Sequence, residues 1–264
     1  MRRRLERGWL SLVERAGLAW EGLTLAATTG WRQLQPLRDA LSRQGDRTRA
    51  RPLTWGTVYV VAFCVLAMVA IDRPLATFLK ARVLGDAEGF FRVVTDLGLA
   101  ELYLVPAGLL WLGMAVAAWR AAGAEARARW RRMAVAPAFL FLSIAVSGII
   151  SNIIKVSLGR YRPRYYLDQG LYGFEPFNRD WGMNSFPSGH SQAAFAAMTA
   201  LIVIFPRHAA LFLTVAVLVA ASRVMITVHY LSDAVAGSWL AVAIAVLIAR
   251  AFRARGLEPR VGRE

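Results

Sequence analysis

Three short clusters of polar residues stand at the edges of long apolar runs, and their residue types suit phosphoryl chemistry. The first pairs Lys155 with Arg162-Pro163, seven positions on, and Pro163 is expected to force the chain out of helix. A guanidinium offers a planar fork of donors that matches phosphate oxygens, and an ammonium offers a compact charge. The second is Pro187-Ser188-Gly189-His190. Ser188 suits a helix N-cap, and the free N–H groups of a helix start, with the dipole behind them, favour an anion. Gly189 permits close backbone approach, and His190 can exchange a proton near neutral pH. The third is Ser222-Arg223, then His229 and Asp233. His229 and Asp233 are four apart and share a face on a continuous helix. Asp233 can then fix the imidazole tautomer, as the acid of a Ser-His-Asp triad does. Arg223 reaches the same pocket only through its length or a break in the helix.

Each cluster alone has a plainer reading: basic residues snorkelling at a helix end, an ordinary capped helix, a structural His–Asp pair. Their joint occurrence outweighs these readings. The chain has three histidines, and two of them fall in these clusters. Ionisable residues at membrane depth are costly and mark function by default.

The elements that must carry the clusters are membrane helices. The chain has 264 residues, of which 57% are hydrophobic, and its mean hydropathy is +0.42. Such composition is rare in a soluble domain. Six apolar segments, at 54–71, 102–119, 133–154, 188–205, 207–224 and 231–252, each approach the ~20 residues that cross a bilayer. Backbone in lipid must satisfy its own hydrogen bonds, so continuously apolar runs are helices. The fold class is all-α: a polytopic membrane protein of six transmembrane helices. Residues 1–53 form a basic N-terminal segment, read either as an interfacial amphipathic helix or as a tail that sets topology. Residues 54–252 form the membrane domain, and 253–264 a tail. No secretory signal is read at the N-terminus.

The net charge of +15 fits an anionic membrane surface, and the apolar runs make nucleic acid the poorer partner. With both termini cytoplasmic, the inner segments, 1–53, 120–132, 206–208 and the tail from 250, hold 22 of the 32 Lys+Arg and 8 of the 17 Asp+Glu. This bias orients the chain and is expected to put all three clusters at the outer face of an inner (cytoplasmic) membrane, facing the periplasm or exterior. Residues 72–101 are expected to include an interfacial helix, and the loop 158–187, rich in Tyr, Phe, Arg and Pro, to be functional. The aromatics Tyr165, Tyr166, Tyr172, Phe174, Phe177 and Trp181 read as an interfacial belt. Arg160 and Arg164 read as headgroup-binding or as solvated flanks, and Asp96 and Glu101 are expected to face an arginine. Ser143, Ser147 and Ser151 read as a packing face, and His208 as a surface residue. One cysteine, Cys64, excludes a disulfide framework within the chain and a thiolate metal site. No metal and no other cofactor is expected, since no carboxylate cluster lies near the motifs. Oligomeric state is not legible.

The three clusters together resemble the type 2 phosphatidic acid phosphatase superfamily, which also includes vanadium-dependent haloperoxidases. Lys155, Arg162, Pro163, Pro187, Ser188, Gly189, His190, Ser222, Arg223, His229 and Asp233 match its pattern without departure. The resemblance implies a six-helix membrane phosphatase acting on a membrane lipid. It implies His229 as the nucleophile, Asp233 as its support, and His190 as the acid and then the base. It implies Lys155, Arg162, Ser188, Gly189 and Arg223 as the phosphate cradle. Leu158-Gly-Arg-Tyr-Arg-Pro163, Phe174-Glu-Pro-Phe177 and Ser185-Phe-Pro-Ser-Gly-His190 are also similar to bacterial lipid A phosphatases. The substrate set is phosphatidic acid, phosphatidylglycerol phosphate, a polyprenyl diphosphate or lipid A phosphate. A lipid-to-lipid phosphotransferase would use the same site. A haloperoxidase is disfavoured by the six spans, and a transporter or a decayed scaffold by the complete motifs.

Overall fold

The structure is a computed structural model that describes residues 42, 44–177 and 182–261. Two compact units are distinguished, Met1–Gly56 and Thr57–Glu264. In the first, residues 44–50 are helical. The helix expected within 1–53 falls mostly outside the described residues, as does Trp181.

The rest is helical: α1 Pro52–Ala70, α2 Asp72–Arg82, α3 Asp86–Asp96, α4 Glu101–Arg120, α5 Ala124–Leu158, α6 Pro163–Gln169, α7 Gly189–Ile204, α8 Ala209–Met225 and α9 Leu231–Arg253. A 3-10 turn, Pro206–His208, joins α7 to α8. Among the described residues, five helical stretches are long and apolar enough to cross a membrane, and α7 is a shorter apolar helix. Sixteen residues rise only about 24 Å, less than the hydrocarbon core. The helix nonetheless agrees with the predicted fourth span, 188–205, to within one residue at each end, with Ser188 as its N-cap.

The segment 72–101 holds two helices rather than one. Arg82 and Asp86 are separated by a break at which Gly85 has a φ of 59°. Phe90 and Val93 of α3 are exposed, while Thr95 is buried. The inner loop expected at 120–132 shrinks to 121–123, because Ala124–Leu158 is one helix of 35 residues. Ala, Arg and Glu from 124 onward are strong helix formers, and nothing there stops the helix.

Small residues set the packing. Ala193, Ala194, Ala196, Ala197 and Ala200 of α7 are buried, as are Ala241 and Ala245 of α9 and Ala216 of α8. Such side chains let helices approach closely where lipid removes the hydrophobic drive. The serine stripe behaves as expected. Ser143, Ser147 and Ser151 are buried on α5, and Gln192 Nε2 of α7 donates to Ser147 Oγ at 2.7 Å. Large side chains point outward instead: Val69, Leu109 and Leu211 are 70%, 66% and 60% exposed, a surface suited to lipid.

Candidate active site

Lys155 stands one turn before the end of α5. Gly159 ends that helix in the left-handed conformation, φ 57°, and its N–H donates to Lys155 O. A Cβ on Gly159 would lie 1.7 Å from Glu175 O, so only glycine fits. Pro163 does not terminate a helix, as its position first implied. It is the first residue of α6, with Arg162 as N-cap, where a missing N–H costs nothing. Lys155 is buried, and its Nζ donates to Asn184 O at 3.3 Å. A Cβ on Gly189 would stand 3.9 Å from Nζ, so the first and second clusters meet.

The second and third clusters meet through backbone. Ser188 N–H donates to Asp233 O at 2.9 Å. Gly237 of α9 allows this, because a Cβ there would lie 2.5 Å from Ser188 O. Ser188 is the N-cap of α7 and is buried. Its Oγ accepts from Ser191 N at 3.4 Å and Ser191 Oγ at 2.9 Å. His190, half-buried, lines a cavity of about 640 Å³ with Gly189, Asn152, Gly148, Glu101 and Leu104.

His229 and Asp233 are not on one continuous helix. α8 ends at Met225 and α9 begins at Leu231. Between them Thr227 adopts φ 53°, and Val228 and His229 N–H both donate to Arg223 O at 3.1 Å. This break supplies what the six-residue spacing required: the loop folds back over Arg223. Asp233 occupies the first turn of α9, and its Oδ2 accepts from Tyr230 N at 2.9 Å. His229 Nδ1 lies 3.5 Å from Asp233 Oδ2.

Several partners were not read from the sequence. Ser185 Oγ donates to Asp233 Oδ2 at 2.6 Å and lies 3.3 Å from His229 Nδ1. Arg223 is buried, and its NH1 donates to Thr95 Oγ1 at 2.7 Å. Asp96 is close enough to act on Arg223 electrostatically. Arg160 is neither headgroup-facing nor solvated, because it is 1% exposed and ion-paired to Asp72 and Asp233. Tyr172 turns inward onto it, receiving Arg160 NH2 at 2.9 Å and donating to Met68 O at 2.6 Å. Phe177 is exposed, and Arg164 is exposed over the Tyr165 ring. His208 is exposed at the opposite turn.

The electrostatics follow from burial and the cations. Burial pushes the His229 imidazole, in the loop between α8 and α9, down to about 3. Hydrogen bonding to Asp233 opposes that shift, and the charges of Lys155 and Arg162 add to it. His229 is therefore neutral at pH 7, with Nδ1 facing the carboxylate and Nε2 left as the lone-pair nitrogen. Burial disfavours the charge of Arg160, but Asp233 and Asp72 outweigh it and hold the guanidinium protonated above its ordinary range. Lys155, Arg162 and Arg223 all act on His190. A buried neutral imidazole beside convergent cations and a helix start suits attack on a phosphate. Among the described residues, no group of three or more His, Cys, Asp or Glu is placed to hold a metal.

Residues 136–257 match the PAP2 superfamily, a span that contains all three clusters. The chain is 28% identical over 206 residues to a lipid A 1-phosphatase of Rhizobium johnstonii, covering 75% of this chain and 83% of that protein. A lipid A 1-phosphatase of Rhizobium etli is 37% identical over 117 residues, 43% of this chain and 50% of that protein. The transmembrane PAP2-type phosphatidylglycerolphosphate phosphatase of Bacillus subtilis superposes with a TM-score of 0.52 at 20% identity, covering 75% of this chain and 96% of that one. That likeness shows the fold.

Proposed function

Residues 136–257 of this multi-pass membrane protein are a PAP2 superfamily domain, and from that premise we propose that the chain hydrolyses a membrane lipid phosphate through a phosphohistidine on His229. One observation carries the reading. The Nδ1 side of a buried His229 is held by Asp233 and Ser185, which leaves Nε2 as the nucleophile.

In the first step Nε2 attacks phosphorus, and the bond to the lipid oxygen breaks. That oxygen takes a proton from His190 and leaves as the alcohol. In the second step His190 takes a proton from water, the oxygen attacks the phosphohistidine, and inorganic phosphate departs from neutral His229. Lys155, Arg162 and Arg223, with Ser188 and the Gly189 N–H, hold the phosphoryl oxygens throughout. Phosphoryl transfer depends mainly on such positioning and charge, so three cations stand where other phosphatases use metal ions. The first substrate to try is the 1-phosphate of lipid A, because two relatives carry that activity in their names. The positive-inside bias of the sequence supports an inner-membrane protein with cytoplasmic termini and an outward site.

The test is phosphate release by detergent-purified protein with EDTA present, over lipid A, phosphatidate, phosphatidylglycerol phosphate and a polyprenyl diphosphate. Release that survives EDTA and is lost in His229→Ala and His190→Ala is the expected result. Release abolished by EDTA, or intact in His229→Ala, refutes the mechanism.

A further inference from the structure

Asp233 has a partner opposite His229 that the reaction scheme does not use. Arg160 is 1% exposed, and its fork is divided between two carboxylates. NH1 donates to Asp233 Oδ1 and to Ser232 Oγ, the latter at 2.7 Å. NH2 donates to Asp72 Oδ2 at 2.8 Å and to Tyr172 OH at 2.9 Å. The Tyr230 ring lies 4.4 Å from the guanidinium carbon. Both ends of the fork are therefore committed to protein groups, and Arg160 is not arranged to hold a phosphate. Asp72 in turn accepts from Ser232 N at 3.2 Å and from Ser232 Oγ, which fixes the residue next to Asp233.

A buried ion pair of this kind is poor evidence for stability, since desolvation offsets most of the attraction. Its chemistry fits a different role. Asp72, Arg160 and Asp233 carry a formal charge of −1 together. His229 begins neutral and becomes cationic when Nε2 bonds to phosphorus with Nδ1 still protonated. The buried group then sums to zero at the step where charge appears.

We propose that Arg160 and Asp72 are positioning residues, which orient Asp233 towards His229 and leave one negative charge to meet the charge that His229 gains on phosphorylation. This deepens the phosphohistidine reading and rests on it. Asp233 alone beside Arg160 would be fully neutralised, and Asp72 is what leaves the excess.

Asp72→Asn removes that charge and keeps the shape. The expected result is a kcat lower by about ten- to a hundredfold, the scale of outer-shell partners, with KM within about twofold. Because the chain has three histidines, selective 15N-histidine labelling reads His229 directly, and its ring resonances shift in the variant. Unchanged kcat with an unchanged His229 spectrum overturns the proposal, as does a lower melting temperature alone. Should Asp72→Asn not fold, Ser232→Ala decides. It keeps every charge and removes one bridging hydroxyl, which accepts from Arg160 and donates to Asp72, and it is expected to lower kcat by about tenfold, the low end for a hydrogen bond to a charged group. Wild-type kcat there, with unmoved histidine resonances, overturns the proposal. His229→Ala is assayed in parallel: activity lost there keeps the phosphohistidine reading whatever Asp72→Asn does, and activity retained there removes both.

Discussion

Asp233→Asn puts the tautomer argument to its hardest test, because the four contacts of that carboxylate leave an amide no good orientation. Oδ1 receives Arg160 NH1. Oδ2 receives Ser185 Oγ and Tyr230 N–H and faces His229 Nδ1 at 3.5 Å. An asparagine that keeps its oxygen on Arg160 points its NH2 at the Tyr230 N–H and at Nδ1. The imidazole can meet an NH2 only by accepting at Nδ1, which moves its proton to Nε2 and removes the nucleophilic lone pair. An asparagine turned the other way sets NH2 against a buried guanidinium. The first orientation disables His229 directly; the second keeps the tautomer but leaves a buried guanidinium facing a donor, a cost that selects the first. The same substitution in a Ser-His-Asp triad costs about 10⁴ in kcat, close to 5 kcal/mol of barrier. We expect a loss of about 10³ to 10⁴ here on that precedent. Single-turnover phosphate release, with acid-quench trapping of labelled phosphoenzyme, measures the step directly, and a melting curve in the same detergent separates it from unfolding. A folded Asp233→Asn protein within tenfold of wild type would refute the assigned tautomer.

Three further outcomes follow from single contacts. Thr95→Val strips Arg223 NH1 of its 2.7 Å acceptor; the loss of a hydrogen bond to a charged group, about 1.5–3 kcal/mol, should loosen the arginine and weaken inhibition by orthovanadate, and unchanged inhibition would count against Arg223 as a phosphate ligand. Gly159→Ala sets a Cβ 1.7 Å from Glu175 O and should displace the 159–175 contact, lowering both melting temperature and activity. Gly170→Ala, also at positive φ but with open space around it, should cost only about 1–2 kcal/mol of left-handed strain, and equal losses in the two would show that the close approach is not the cause. Acidification should destabilise the fold through His229. Its folded value near 3 lies below the ordinary 6.5, so the unfolded chain binds the extra proton between those values. Stability is full above pH 6.5 and falls towards pH 3, by about 1.4 kcal/mol per unit from this one group. Melting from pH 7 to 4.5 should show a shallower decline in His229→Gln than in wild type, and parallel declines would sink the assignment.

The sequence made the helices legible because lipid leaves a hydrophobic run few alternatives. It made Lys155, Arg162, His190, Arg223 and His229 legible because charged or titratable groups at the edge of such runs are rare. The ends of helices were less so. Ser188 was read correctly as a cap, but Gly159, not Pro163, stops α5, and the requirement for glycine comes from a carbonyl sixteen residues away. The turn after Met225 was anticipated only as a condition on reach. It is fixed by Arg223 O receiving two N–H groups, a tertiary fact with no local signature.

The ion-pair layer was missed for a physical reason that also explains why it is there. Asp72 and Arg160 are 88 positions apart, each looks like an ordinary charge at a helix boundary, and spacing within one helix says nothing about them. A charge at membrane depth must nonetheless have a partner, and that rule could have been applied to Asp233. The motif pairs it with His229 alone, yet a buried carboxylate facing only a neutral imidazole would be left without a countercharge. Arg160 supplies the cation, and an arginine fork in a dry site has donors to spare, which bring in Asp72, Ser232 and Tyr172. Motif spacing thus identifies the groups proposed to face the phosphate. The requirement that every buried charge be compensated identifies the groups behind them, and only when the whole boundary of the bundle is counted at once.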